Sequence, residues 1–247
     1  MNDVVDALDA AAGTTCLVGA GGKKTTLYAL AARLDRAVLT STVRIPIFDR
    51  EVAEVRATDD PVGELDGTAA NGGEGDAFPL GLVPERERDD RYRGYDPAVV
   101  DDIAAAHDGP VLVKADGART RLFKSPNERE PQIPSGADRV VPVASVGAVG
   151  EPLAEETVHR PERVAAITDA ELGDEITPEL VGRVLADELG GFKDVPPDAT
   201  AIPLINAVDD AGDEAVAREV AQVVHERADV PRVVLARMIA GEVVDVV

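Results

Sequence analysis

Gly19-Ala20-Gly21-Gly22-Lys23-Lys24-Thr25-Thr26 follows an apolar run, Thr14-Thr15-Cys16-Leu17-Val18, and precedes Leu27, Leu30, Ala31 and Leu34 at helical spacing. The predicted order is strand, glycine turn, helix. Glycines in such a turn let backbone N–H groups converge on one anion, because no Cβ obstructs its approach. The helix adds the positive end of its dipole, about half a unit charge. A lysine and hydroxyl groups at that point suit a triphosphate and its Mg²⁺. The stretch predicts a phosphate-binding loop, with Gly19, Gly21, Gly22, Lys23, Lys24, Thr25 and Thr26 as nucleotide-binding candidates.

The common loop places four residues between its first glycine and Gly-Lys-Ser/Thr. Here Gly19 and Gly22 enclose two, which resembles the shorter loop of Mur-ligase-type nucleotide enzymes. The doubled lysine leaves two registers open. With Lys23 on the phosphates, Lys24 stands where a Mg²⁺ ligand is expected and Thr25 must substitute. With Lys24 there, Thr25 is in register and the preceding glycine is missing. A plain glycine turn capping an αβ unit is the alternative to phosphate binding, and Lys-Lys-Thr-Thr weighs against it.

The chain has 247 residues, enough for one α/β domain with a real core. Its formal charge is −22, from 47 acidic and 25 basic residues, and only five of the basic residues are lysine. So acidic and lysine-poor a composition resembles proteins of salt-accumulating halophiles, a haloarchaeal type of sequence. Dense carboxylates hold water at multimolar salt, where screening acts within about 3 Å. An apolar content of 45% argues against a disordered acidic chain. All five lysines (Lys23, Lys24, Lys114, Lys124, Lys193) fall in glycine- or proline-marked segments, where a compact ammonium would matter.

The charge argues against nucleic-acid and anionic-membrane binding, since no basic stripe exists to neutralise phosphates. No apolar run approaches a membrane span and no signal segment opens the chain, so a cytoplasmic location is expected. Cys16, the sole cysteine, reads as a buried hydrophobe.

Further strands are predicted at 37–41, 110–114, 139–144, 201–205 and 232–237, the last as the final core strand. Pro142 suggests an edge or a bend. Helices are predicted at 97–106, 161–167, 177–189 and 213–228, with Thr177 as cap and Pro178 in the first turn of the third. Residues 58–95, including Asn71-Gly72-Gly73-Glu74-Gly75-Asp76, read as surface loops with one short helix. The expected fold is α/β: a P-loop NTPase-like three-layer sandwich with a mainly parallel sheet. One domain spans 1–247, with a loop-rich insertion at about 58–95.

Asp116, in Val113-Lys114-Ala115-Asp116-Gly117-Ala118-Arg119, follows a predicted buried strand and points into the crevice where α/β sheets hold ligands. There it could hold Mg²⁺ with Thr25, within reach of Arg119 and Arg121. An ordinary Asp-Gly turn is the alternative. Phe123-Lys124-Ser125-Pro126 through Glu130-Pro131-Gln132-Ile133-Pro134 is stiffened by three prolines, as a crevice wall or a rigid connector. Asn206-Ala207-Val208-Asp209 looks like a degraded guanine-reading Asn-Lys-x-Asp, so Asn206 and Asp209 are nucleotide candidates. An Asn- or Asp-capped turn before helix 213–228 explains them equally well. His159 suits a proton shuttle or a phosphate contact near neutral pH. His107 and His225 sit in predicted surface helices and carry no assigned role.

Gly-Ala-Gly-Gly-Lys, Ala-Asp-Gly-Ala-Arg, Lys124-Ser125-Pro126 and Glu130-Pro131-Gln132-Ile133-Pro134 together resemble the YqeC family. The likeness continues through Val146–Leu153, Val158-His159-Arg160-Pro161, Ile176–Glu179 and Gly190-Gly191-Phe192-Lys193. Members are described as accessory proteins for selenium-dependent molybdenum hydroxylases. The resemblance implies a P-loop nucleotide-binding fold with roles for Lys23, Thr25, Asp116, Arg119, Lys124 and His159. Arg119, Lys124 and His159 are the catalytic candidates; Thr25 and Asp116 are the metal candidates. Three positions depart from the family pattern. Lys24 replaces Thr or Ser, Lys114 replaces a frequent Glu, and Glu128-Arg129-Glu130 replaces a stretch that often holds His-Glu.

The function expected is a maturation factor that binds Mg·ATP or Mg·GTP, with NTP hydrolysis through charge stabilisation and positioning. Its implied partners are a molybdenum hydroxylase or that enzyme's maturation proteins. A kinase, ligase or nucleotidyl transferase acting on the cofactor is a second class, and a non-hydrolytic nucleotide-binding scaffold a third. Product analysis after turnover separates them. The composition makes one prediction of its own. Lowering salt from 1 M to 0.1 M lengthens screening from about 3 to about 10 Å, so carboxylate repulsion should lower the melting temperature in dilute buffer. A melting temperature that stays flat from multimolar KCl to dilute buffer would overturn the halophilic reading.

Overall fold

The computed structural model describes residues 3–70 and 77–247. In chain order the first elements are α1 (Val4–Ala7), β1 (Thr14–Gly19), α2 (Lys23–Ala31), β2 (Val38–Ser41), β3 (Ile45–Pro46), β4 (Glu54–Ala57) and α3 (Pro61–Ala70). Next come β5 (Leu80–Val83), β6 (Arg91–Tyr92), α4 (Pro97–Ala106), β7 (Val111–Lys114), β8 (Phe123–Lys124), β9 (Arg139–Ser145) and β10 (Val158–His159). The last are α5 (Pro161–Thr168), α6 (Pro178–Leu185), β11 (Thr200–Ala201), β12 (Leu204–Asn206), α7 (Ala211–Arg227), β13 (Val234–Arg237) and β14 (Glu242–Val246).

Ten strands form one sheet in the order β14-β13-β12-β9-β1-β7-β2-β5-β4, with β11 also against β9. Every pairing in it is parallel except β13 with β14. A parallel sheet needs cover on both faces, so its inner strands are continuous apolar runs rather than alternating ones. On one face α1 and α2 pack over Leu17, Leu39, Leu112 and Val143. On the other, α4 covers Cys16, Val18 and Val113, and α6 and α7 cover Ala144, Ile205 and Leu235. The fold is α/β: a large, mostly parallel sheet between two helical layers. Among the described residues, no helix is long and apolar enough to cross a membrane.

The strand order positions the site. From β1 the chain moves out to β2 on one side and returns as β7, β1's neighbour; β9 then lies on β1's other side. The topology therefore reverses at β1, and ligands of such sheets bind beyond the carboxyl ends at that switch point. Residues 20–22 occupy it.

Several expected elements differ. The 58–95 segment is not only loops with one helix. Within it lies β5, whose four residues are buried, and Tyr92 in β6 pairs with Ile45 in β3. Asn71–Asp76 lies outside the described residues. Pro142 is in an interior strand. Strand alternation turns its missing N–H toward the interruption between β11 and β12, where Ile202-Pro203 breaks the neighbouring strand. The predicted 201–205 strand is divided there for the same reason. β13 is not the final strand, because β14 folds back on it. Neither Asn206 nor Asp209 caps the last long helix. Asp210 does, accepting from the Gly212 and Asp213 amides at 2.7 and 2.9 Å. His107 is buried rather than superficial, 2.6 Å from the Arg36 carbonyl.

Candidate functional site

The turn after β1 bends through glycines with positive φ: 90° at Gly19, 77° at Gly21 and 154° at Gly22, the residue before α2. A Cβ at Gly19 would run into the Val143 backbone of β9, and one at Gly21 into the Leu122 carbonyl and Ser145. Only glycine serves at these two positions. Asn206, 6% exposed, pins the turn from the side. Its amide donates to the Gly21 carbonyl at 2.8 Å, and its oxygen accepts from the Met238 amide at 2.9 Å. Both ends of the side chain are therefore engaged within the protein. Asp209 is exposed.

Lys23 folds back over the turn. Its ammonium donates to the Gly19 carbonyl and lies 2.8 Å from Asp116 Oδ1. Lys24 is half-buried and makes no ion pair or side-chain hydrogen bond among the described residues. Of the two registers, the fold turns Lys23 into the loop. Thr25 is half-buried, whereas Thr26 is fully buried and its hydroxyl donates to the Gly22 carbonyl at 3.1 Å. Thr26 supports the turn rather than facing its mouth.

Asp116, 1% exposed, is the hub. Oδ2 accepts the Gly19 amide at 2.8 Å and faces Lys124 Nζ at 2.9 Å. Oδ1 meets Lys23 as an ion pair, without the alignment of a hydrogen bond. Burial acts to raise this carboxyl's pKa; Lys23 and Lys124 outweigh it and hold Asp116 below the usual carboxylate range. Lys124 also donates to the Gly117 carbonyl at 2.7 Å and to Glu130 Oε2 at 3.0 Å. Lys124 thus clamps Asp116, Glu130 and the Gly117 carbonyl together. Arg160 reaches the same Glu130 oxygen at 2.7 Å. At Glu130 burial again acts upward, and Lys124 and Arg160 prevail. A narrow pocket opens beside Asp116 and Lys124, walled by Phe123, Pro142, Leu185 and Gly190. These apolar walls strengthen the ion pairs beside them.

Lys114 adds a third amine. It is 6% exposed and donates to the Arg44 carbonyl at 2.9 Å. Burial, and then Lys23 beside it, pushes its pKa down to about 7. Two of the chain's five lysines, Lys23 and Lys124, therefore pair with one carboxylate, and Lys114 precedes that carboxylate by two residues. Sequence reasoning missed Glu130 and Arg160. Both lie in motifs that drew notice, but their pairing across thirty residues has no local signal.

Arg119 is exposed, with φ 47°, and makes no ion pair among the described residues. His159 is half-buried in β10, in register with Lys124 of β8. Burial, then Arg160 and Lys124, lowers its pKa to about 4. The imidazole is therefore neutral near pH 7, which does not suit a proton shuttle at that pH.

A family model described as YqeC protein matches residues 15–162, a span holding the loop, Asp116, Lys124, Glu130 and Arg160. The chain belongs to the YqeC family. A YqeC relative from Escherichia coli (strain K12), "Uncharacterized protein YqeC", is 31% identical over 119 residues. The aligned stretch covers 47% of this chain and 46% of that protein, so the chain spans about half the length of the curated relative it matches. The matched family region ends at Pro161-Glu162, just after Arg160, and so includes every member of the Asp116 network described above.

The His159 shift has a testable sign. The folded pKa lies below the ~6.5 of a free imidazole, so the unfolded chain binds this proton more readily. The associated stability is fully present above pH ~6.5 and is lost as the pH falls from there toward 4. NMR titration of the His159 ring should give a midpoint near 4. A midpoint near 6.5 would instead restore His159 as a proton carrier at neutral pH.

Proposed function

We propose that this chain binds a nucleotide, ATP or GTP, through its phosphates at Gly19–Thr25, and that it acts as an accessory factor in maturing a selenium-dependent molybdenum hydroxylase. One observation carries the first part. Lys23, at the start of α2, is turned back into a glycine loop at the sheet's switch point, with Asp116 holding the loop closed. Amides of residues 21–24 and the α2 dipole give that loop a positive mouth in a chain of charge −22. The family resemblance supports the second part.

In this reading Lys23 exchanges its contact with Asp116 for a phosphate oxygen. Lys124, Glu130 and Arg160 hold Asp116 in place while it does so. Arg119, exposed and without an ion pair among the described residues, is a side chain available to a terminal phosphate.

Titration calorimetry with ATP and GTP in molar KCl tests the site. A charge-assisted hydrogen bond contributes roughly 1.5–3 kcal/mol, so Lys23→Ala should weaken binding by about tenfold or more while circular dichroism stays unchanged. Unchanged affinity in the folded variant would falsify the phosphate-loop assignment. For the accessory role, a host that carries the hydroxylase but lacks this chain should accumulate inactive enzyme. Full hydroxylase activity in that host would remove the maturation role and leave nucleotide binding standing.

A further inference from the structure

Phosphate loops ordinarily work with Mg²⁺, a hard cation that takes oxygen ligands at about 2.1 Å. The donor set here does not fit that ion. Of the two candidate ligands, Asp116 has Oδ2 taken by the Gly19 amide at 2.8 Å and Lys124 at 2.9 Å, and Oδ1 ion-paired with Lys23 at 2.8 Å, which leaves the half-buried Thr25 hydroxyl as the one candidate oxygen without a charged neighbour on it. Glu130, the other nearby carboxylate, is held by Lys124 at 3.0 Å and Arg160 at 2.7 Å. Lys24, with no oxygen to offer, directly follows the loop lysine, where a hydroxyl ligand normally stands. Among the described residues, no group of three or more His, Cys, Asp or Glu side chains is gathered for a metal ion.

Charge points the same way. Lys23, Lys124 and Arg160 face Asp116 and Glu130, three cations against two anions before Lys114 is counted. A divalent cation entering this low-dielectric cluster meets net repulsion, and an anion meets attraction. Lys114 sharpens the contrast. Leu112 lies in the core packed by α2, so strand alternation puts Lys114 on the α2 face, the helix that Lys23 begins. Its amine is nine-tenths buried, and a backbone carbonyl is its one hydrogen-bond partner among the described residues. A buried ammonium without a carboxylate is unfavourable unless another group supplies the counter-charge. A phosphate oxygen held by Lys23 would do so.

We propose that the site binds its anion without a divalent metal: Lys23 and Lys114 together supply the positive charge that Mg²⁺ supplies in other phosphate loops, and Asp116, held by Lys124, fixes the loop through the Gly19 amide. The inference rests on the phosphate-loop reading and names the ligand more narrowly, as a metal-free nucleoside triphosphate or a polyphosphate of the same chemistry. In this arrangement Asp116 holds Lys124 and the Gly19 amide and is not a metal ligand.

The test is calorimetric titration of the wild-type chain with ATP, GTP and inorganic tripolyphosphate in molar KCl, in EDTA and again in excess Mg²⁺. Binding should occur in EDTA and be equal or weaker in Mg²⁺, because the metal complex presents less negative charge. Lys114→Ala should weaken binding in EDTA by about tenfold, with no rescue by Mg²⁺. Lys114→Glu, which adds a carboxylate and removes the amine, should make binding depend on Mg²⁺. Binding by the wild type only in Mg²⁺, or at least tenfold tighter there, overturns the proposal and leaves the phosphate-loop reading intact. So does unchanged affinity of a folded Lys114→Ala variant in EDTA. Absence of binding in both conditions removes the phosphate-loop reading and this proposal with it. Should the Lys114 variants fail to fold, the wild-type comparison decides alone.

Discussion

Asp116 is an ionised carboxylate withdrawn from water and held between two ammonium groups. The loop after β1 reaches it through the Gly19 amide and Lys23, and β8 reaches it through Lys124. A buried carboxylate is tolerated only when paired, so these segments cannot separate without exposing it. Removing one partner from such a pair ordinarily costs about 3–5 kcal/mol, more than a third of the stability of many domains. Glu130 and Arg160 extend the alternation of charge to the start of α5. One continuous electrostatic chain thus links the head of α2 to the head of α5 across the carboxyl end of the sheet.

The surroundings give this chain its strength. Surface pairs such as Arg218 with Glu214 sit in water and contribute little. The Asp116 pairs lie beside a pocket with apolar walls, where the same separation yields a larger Coulomb energy. This also explains where lysine appears in an arginine-rich chain. Arg218, on the surface, pairs with Glu214 and Asp245. A buried carboxylate flanked by glycine backbone leaves room for a compact ammonium rather than a guanidinium fork.

Two distant strands, β9 and β12, hold the loop in place. Val143 of β9 sits so near Gly19 that no side chain fits between them. Asn206 of β12 holds the Gly21 carbonyl and, through Met238, the turn that leads into β14. The prolines of 126–134 fold the chain back, and the Gln132 amide donates to Ala115 at 2.8 Å. That return brings Glu130 beside Lys124. The segment reads as crevice wall and connector at once.

The sequence by itself determined the α/β class, the glycine loop between β1 and α2, and Asp116 beyond a buried strand. Each is written in a short window: an apolar run, a glycine cluster, a helical period. The unequal distribution of lysine was equally plain. Only the tertiary structure decided that Lys23 rather than Lys24 turns into the loop, that Asn206 binds backbone at both ends, and that His159 is neutral near pH 7. β5 was hidden because four apolar residues among charged loops show no period, and Pro142 reads as an edge until the gap in its neighbour is seen. The partnership of Asp116, Lys124, Glu130 and Arg160 was invisible for a more general reason. Ion pairing depends on distance and burial in three dimensions, and residues thirty or a hundred positions apart carry no mutual signal along the chain.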